Sequence, residues 1–233
     1  MELVLATKRP IVFAEQKSYA SNQEWSPDDA RLLGDIGVAM PVKAFDNGNW
    51  YTPIIHNPPL DAYLLYLPGA LLVKTCNVDY PKVFTTGTLD EEKYFELYER
   101  RILPMLRFAS DEAKLKGKKA VVTVPGMGCG EFARGLALNL HDHFNNVLKK
   151  ILKKYSSQLP NISLVYFAEH STGTSSFSES FIYDGIKYRH IKSSHKDYKN
   201  LLERPESYQI ESGEDYSNQI LFAFVAWDHV SLP

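Results

Sequence analysis

The chain has 233 residues, 44% of them hydrophobic and 23% charged, a composition that suits one large globular domain. A net charge of −2 gives no general drive towards nucleic acid or an anionic membrane, and no apolar run reaches membrane-spanning length. The start, Met1–Pro10, is too short and wrongly charged for a signal peptide, and Cys76 and Cys129 stand at no metal spacing. A disulfide framework is therefore not expected, and a reducing, cytoplasmic compartment is.

Ile11–Glu15 predicts a short strand. Ser26 reads as the N-cap of a brief helix, with Pro27 at its first position and Asp28 and Asp29 in its first turn, ending near Gly34. Val38–Phe45 alternates weakly and runs into Asp46-Asn47-Gly48-Asn49, a turn signal before Trp50-Tyr51, so a hairpin is expected there. His56-Asn57-Pro58-Pro59 reads as a loop or a rigid extended piece. Tyr63–Leu67 and Ala70–Lys74 read as two strands parted by Pro68-Gly69. From Asp90 the apolar period becomes helical through Phe108, with Pro104 predicting a kink or break. Lys114–Lys119 reads as a solvated basic connector.

The second half alternates strands and helices. Lys119–Val124 is strand-like and enters Pro125-Gly126-Met127-Gly128-Cys129-Gly130-Glu131. An amphipathic helix is expected from Phe132 to about Tyr155, with Leu140, Phe144, Val147, Leu148, Ile151 and Leu152 on one stripe. Ile162–Ala168 predicts a buried strand, and Ser171–Ser180 a polar loop. Asp184-Gly185 predicts a hairpin between Ser180–Tyr183 and Ile186–Ile191. Ile220–Ala226 is the last apolar strand. The pattern predicts an α/β layered fold.

Three closely spaced glycines between a strand and a helix let a backbone approach a ligand without Cβ clashes. The N–H groups opening a helix favour an anion, most often a phosphate. No Gly-Lys-Ser/Thr follows, so this is not a Walker A loop, and its place near mid-chain fits the dinucleotide fingerprint poorly. The competing reading is a glycine-rich turn used only for tight packing.

In an α/β sheet ligands bind at the carboxyl ends of strands. There the sequence places the glycine loop, then Glu169-His170-Ser171-Thr172-Gly173-Thr174, then Trp227-Asp228-His229. If the three strands are parallel neighbours, these converge on one crevice. Asp228 is either a ligand-binding or catalytic acid or a turn residue; Glu169 and His170 are candidates whose simpler reading is loop. Cys129 beside a helix start is conceivable as a nucleophile, although a small side chain fitted to a crowded turn accounts for it more simply. His141 and His143, two apart on a helix, point to different faces and make a poor metal pair. The lysines of 149–154 and 187–196 read as solvated faces. No metal and no cofactor are expected.

The segment Val122–Gly135 resembles the diphosphate-binding loop and following helix of macrodomains, the ADP-ribose-binding modules. The ending Phe224-Val-Ala-Trp-Asp-His-Val-Ser-Leu-Pro233 is similar to that of the MavL-like Legionella effectors, divergent macrodomains that remove ADP-ribose from an arginine of ubiquitin. The resemblance implies a single macrodomain-like domain over 1–233, a three-layer α/β/α fold with a mixed central sheet. It implies ADP-ribose, or an ADP-ribosylated protein such as ubiquitin, as ligand, with no nucleic acid or membrane partner. The site it implies is Gly126, Met127, Gly128, Cys129, Gly130, Glu131, Phe132 and Trp227 around the ligand, and Asp228 as catalytic carboxylate. In that group Trp-Asp-His is followed by Gly-Asn-Asp and a further acidic loop. Asp228 matches the first acid and the others have no counterpart before Pro233. The expectation is therefore a domain truncated at its C-terminus that binds ADP-ribose and hydrolyses slowly or not at all. The alternatives are a non-catalytic ADP-ribose reader and a Cys129 thiol hydrolase using His170. A secreted effector of this kind is expected in the host cytosol.

Overall fold

A computed structural model describes residues 11–13, 37–49, 52–72, 79–133, 136, 138–170, 174 and 176–227. The helix expected at Ser26 lies outside them. Among the described residues the strands are β1 (Ile11–Phe13), β2 (Gly37–Asp46), β3 (Ile55–Pro68), β4 (Phe84–Thr85), β5 (Thr88–Leu89), β6 (Ala120–Pro125), β7 (Ile162–Glu169), β8 (Ser178–Tyr183), β9 (Ile186–Lys192) and β10 (Ile220–Trp227). The helices are α1 (Tyr80–Val83), α2 (Glu91–Leu115) and α3 (Leu140–Tyr155). Among these residues no helix is long and apolar enough to cross a membrane.

Eight strands form one mixed sheet in the order β1-β2-β3-β10-β6-β7-β9-β8. The five central strands, β3, β10, β6, β7 and β9, run parallel. β2 pairs antiparallel with β3, and β8 with β9. The expected hairpins are both present, and Asp184 and Gly185 take the positive φ angles of 45° and 85° that a two-residue turn requires. Buried parallel strands read as continuous apolar runs because both faces are covered. In β6, Val122 and Val124 face the helices, whereas Val121 faces the other layer. Phe167 and Tyr166 of β7, and Phe222 and Leu221 of β10, divide in the same way.

Helices α2 and α3 cover one face. Asp90 caps α2 by accepting a bond from Lys93 N (3.1 Å), and Glu91 and Glu92 occupy its first turn. The helix runs unbroken through Pro104, so of the kink or break expected there the break does not occur. Buried Arg101, Ile102, Met105, Leu106 and Ala109 grip the sheet on both sides of the proline, and tertiary packing outweighs the single backbone bond that proline removes. The helix also takes in Lys114 and Leu115, part of the expected connector.

Two further expectations change. Ala70–Lys74 was expected as a strand, but Ala70–Leu72 leaves the sheet, while His56–Pro59 joins β3. The helix expected from Phe132 begins only at Leu140. Before it, Glu131–Ala133 forms a 3-10 turn, and Phe132 O accepts from Leu72 N at 2.8 Å. Leu136 packs on the same core as α3 without being helical. Apolar period reports which side is buried, not which backbone bonds form.

The far face is covered by residues 193–219, which include a 3-10 turn at Pro205–Tyr208. Tyr208 and Tyr216 pack there against Val121, Leu164, Tyr166 and Leu221. Buried Arg189 of β9 fixes this layer, donating to Tyr208 O (2.8 Å) and to Glu214 (2.6 Å). Lys187 also pairs with Glu214 (2.8 Å) and with Glu211. Lys187 and Arg189 are structural cations rather than a solvated face, whereas Lys196 is exposed as expected.

Burial alone raises the Glu214 carboxyl. The backbone N–H groups of Glu211 and Ile210, with Lys187 and Arg189, outweigh burial and bring its pKa from 4.5 down to about 2. A carboxylate with a depressed folded-state pKa stabilises fully above its unfolded value and ceases to do so as pH falls through the folded one. Glu214→Gln is expected to cost about 1–3 kcal/mol at neutral pH. It should also flatten the loss of stability between pH 4.5 and 2, as measured by denaturant unfolding across that range.

Candidate functional site

The sheet order brings the carboxyl ends of β3, β10, β6 and β7 to one edge, with β10 between β3 and β6. The three expected strands are indeed parallel neighbours. Two connections leave this edge and touch. Pro68-Gly69-Ala70 follows β3, and Gly126–Gly130 follows β6. A Cβ on Gly69 would stand 2.4 Å from Gly128 N, and one on Gly128 would stand 2.7 Å from Ala70 N. Gly128 also has φ +70°. Backbone lies on backbone here, at a separation only glycine permits.

Tyr98 of α2 locks the contact. Its hydroxyl accepts from Ala70 N (2.9 Å) and donates to Met127 O (2.6 Å). One turn on, Arg101 donates twice to Asp79 (3.1 Å each), both side chains fully buried. Asp79 accepts from Leu71 N at 3.0 Å. The segment after β3 is thus held to α2 at two points.

The glycines of the loop have separate jobs. Gly128 serves internal packing. Gly126 lies against the His141 ring, where a Cβ would stand 2.7 Å from Nε2. Gly130 is exposed, and a Cβ there would meet nothing within 4 Å among the described residues. Met127 is fully buried and Phe132 half-buried. Glu131 opens the 3-10 turn, and Trp227 ends β10 opposite Pro68; their side chains, and all of Asp228, lie outside the described residues. Because α3 starts at Leu140, the glycine loop does not itself open the helix, contrary to the expectation, although His141 in the first turn of α3 still reaches Gly126.

Cys129 is half-buried, with Sγ 3.5 Å from Met127 O. Burial pushes its thiol far up, and the negative Glu169 pushes further. That is the reverse of the thiolate a nucleophile needs. His170 is exposed.

Glu169 is 3% exposed. It accepts from His190 Nε2 (2.8 Å) and pairs with Lys192 (2.9 Å). Burial raises its pKa, but these two bonds outweigh burial and hold it below the ordinary value. His190 stacks on Phe167 with ring centroids 4.5 Å apart, and its Nδ1 lies 3.5 Å from Glu179. Glu179 in turn accepts from Asn145 (2.7 Å) and pairs with Lys149 (2.6 Å). Lys192 is therefore the partner of a buried acid and Lys149 of a partly buried one, whereas Lys150, Lys153 and Lys154 are exposed as expected. His190 and Lys192 come to Glu169 through the β7–β9 register, Phe167 opposite His190 and Glu169 opposite Lys192. Strand order is needed to see that.

On the far side of the β10 end lies a cavity of about 350 Å³. Gly48, Pro125, Tyr198, Asn200, Leu202 and the Ala223–Ala226 backbone line it. Its outer wall is pinned by Thr123 Oγ1 donating to Leu201 O (2.8 Å) and by His56 Nε2 meeting Leu202 O (2.8 Å). An apolar slot with a few polar groups suits a flat ring.

The family described as macrodomain effector MavL matches the chain over residues 1–233. The chain belongs to that family. A search of curated proteins finds no match. In this macrodomain the central sheet is mixed, as the sequence resemblance implied.

The separation of glycine roles is testable by unfolding. Gly128→Val combines a left-handed φ with collision against Ala70, and is expected to cost about 3 kcal/mol or more. Gly130→Val should change stability by no more than about 0.5 kcal/mol.

Proposed function

We propose that this macrodomain binds ADP-ribose along the carboxyl edge of its sheet. The diphosphate rests against Gly126–Glu131, and the adenine takes the adjoining cavity beside Pro125. The observation that carries the reading is the exposed, unobstructed Gly130. It lies on a loop whose other glycines are locked in place, at the strand ends where α/β sheets bind ligands. Rigid loops offer a phosphate a preorganised surface.

The finer reading is hydrolysis of the N-glycosidic bond between ADP-ribose and an arginine of ubiquitin. Cleaving that bond develops positive charge at the anomeric carbon. A carboxylate beside it stabilises the charge and orients the attacking water. Asp228 is next in sequence after the last residue of β10 and is the acid we assign to this role. The support is the resemblance of the Trp227-Asp228-His229 ending together with family membership. As an effector, the protein would act on ubiquitin in the host cytosol.

Calorimetry with ADP-ribose tests the binding, and release of ADP-ribose from arginine-modified ubiquitin tests the chemistry. Gly130→Val should weaken binding by about tenfold or more, roughly 1.4 kcal/mol. Asp228→Ala should slow release by about 100-fold, whereas Cys129→Ser should leave it unchanged. Binding without any release by the parent protein would make this chain a reader. Loss of release in Cys129→Ser with binding intact would restore the thiol mechanism.

A further inference from the structure

His141 stands in the first turn of α3 with its ring laid across Gly126. It is partly exposed and has neither hydrogen bond nor ion pair among the described residues. Its neighbour His143 differs: Nδ1 meets Glu91 Oε1 at 2.5 Å. The ring nitrogens of His141 are thus free to meet water or a ligand at the loop. Gly126 is also explained by the ring, since a Cβ there would stand 2.7 Å from Nε2 and 2.9 Å from the adjacent ring carbon. The backbone has been kept bare so that an imidazole can close on the loop.

We infer that His141 is a ligand-contacting residue of the glycine loop, donating a ring N–H to an oxygen of a nucleotide diphosphate lodged against Gly126. The inference rests on the ADP-ribose reading of the same edge. It adds a side-chain donor where the sequence offered only backbone, and on a helix that the sequence had joined directly to the loop.

The described groups that act on the ring are Glu169 on β7, Lys192 and His190 on β9, and Asp142 on α3 itself. The Cys129 side chain lies beside them, its Cβ 3.5 Å from where a Cβ on Gly126 would stand. Burial, aided by Lys192 and His190, lowers the His141 pKa from 6.5 against the opposing pull of Glu169 and Asp142. The ring is neutral at pH 7, one nitrogen donating and the other accepting. Below its lowered pKa the imidazolium donates from both nitrogens and carries a positive charge towards the diphosphate. Affinity for an anion therefore rises as pH falls, while the diphosphate diester itself stays ionised.

The test is calorimetry of ADP-ribose with the full chain and with His141→Phe and His141→Gln, at neutral pH and again under mild acid. Thermal unfolding of each variant checks the fold. The phenyl ring fills the space without a donor and should weaken binding about tenfold; the amide keeps a donor and should recover most of that loss. Both variants should lose the gain on acidification. Parent-like affinity and pH profile in both folded variants would overturn the role of His141 and leave the ADP-ribose reading standing. No binding by the parent protein would overturn both.

Discussion

The hydroxyl of Tyr98 accepts a hydrogen bond from Ala70 N and donates one to Met127 O, and this bridge organises the whole carboxyl edge. β3 and β6 are not sheet neighbours, because β10 lies between them. Nothing in the ladder hydrogen bonds fixes the connection after β3 relative to the one after β6. The bridge does so, and the close approach of Gly69 and Gly128 depends on it. A second tie, Arg101 with Asp79, lies one turn further along α2 with both charges fully buried. Buried pairs of this kind add little net stability over apolar packing, but removing one partner strands a charge. Their use here is to specify where the chain goes after it leaves the sheet.

Beyond the Arg101–Asp79 pair, charge among the described residues gathers in two places with different consequences. On the far layer, Arg189 and Lys187 tether Glu211 and Glu214, so a long segment poor in regular structure is held by ion pairs and two tyrosines. At the carboxyl edge, Glu169 draws in His190 and Lys192 and acts at longer range on Cys129 and His141. The same carboxylate keeps the thiol protonated and favours charge on the imidazole. Nucleophilic chemistry at Cys129 is thus opposed by the electrostatics of the very cluster that surrounds it.

A glycine-rich loop is often read as one device. Here its glycines answer to different neighbours: backbone at Gly128, an imidazole ring at Gly126 and solvent at Gly130. The tight-packing reading holds at Gly128, while Gly130 is left open for the ligand contact proposed above. Substitutions therefore separate folding from recognition only when the correct glycine is chosen.

The sequence by itself determined most strands of the large sheet, both hairpins, the α/β class and the place of the loop, but not the first part of β3 or the turn away from the sheet at Ala70. These follow from local causes: period, turn residues such as Asp184-Gly185, and the capping Asp90. The ending Trp227-Asp228-His229 and the Val122–Gly135 segment carried the family. Tertiary structure decided what depends on distant partners. Pro104 stays within a helix because packing on both sides holds it. Phe132 and Leu136 share the core period of α3 without sharing its backbone, so periodicity placed the helix start too early. His190 and Lys192 reach Glu169 only through strand register, and Tyr98 reaches Ala70 and Met127 only once α2 lies over the sheet. A linear chain records which residues prefer burial or a turn, but which buried polar group meets which is settled by strand order and layer packing, where each such group must find a partner.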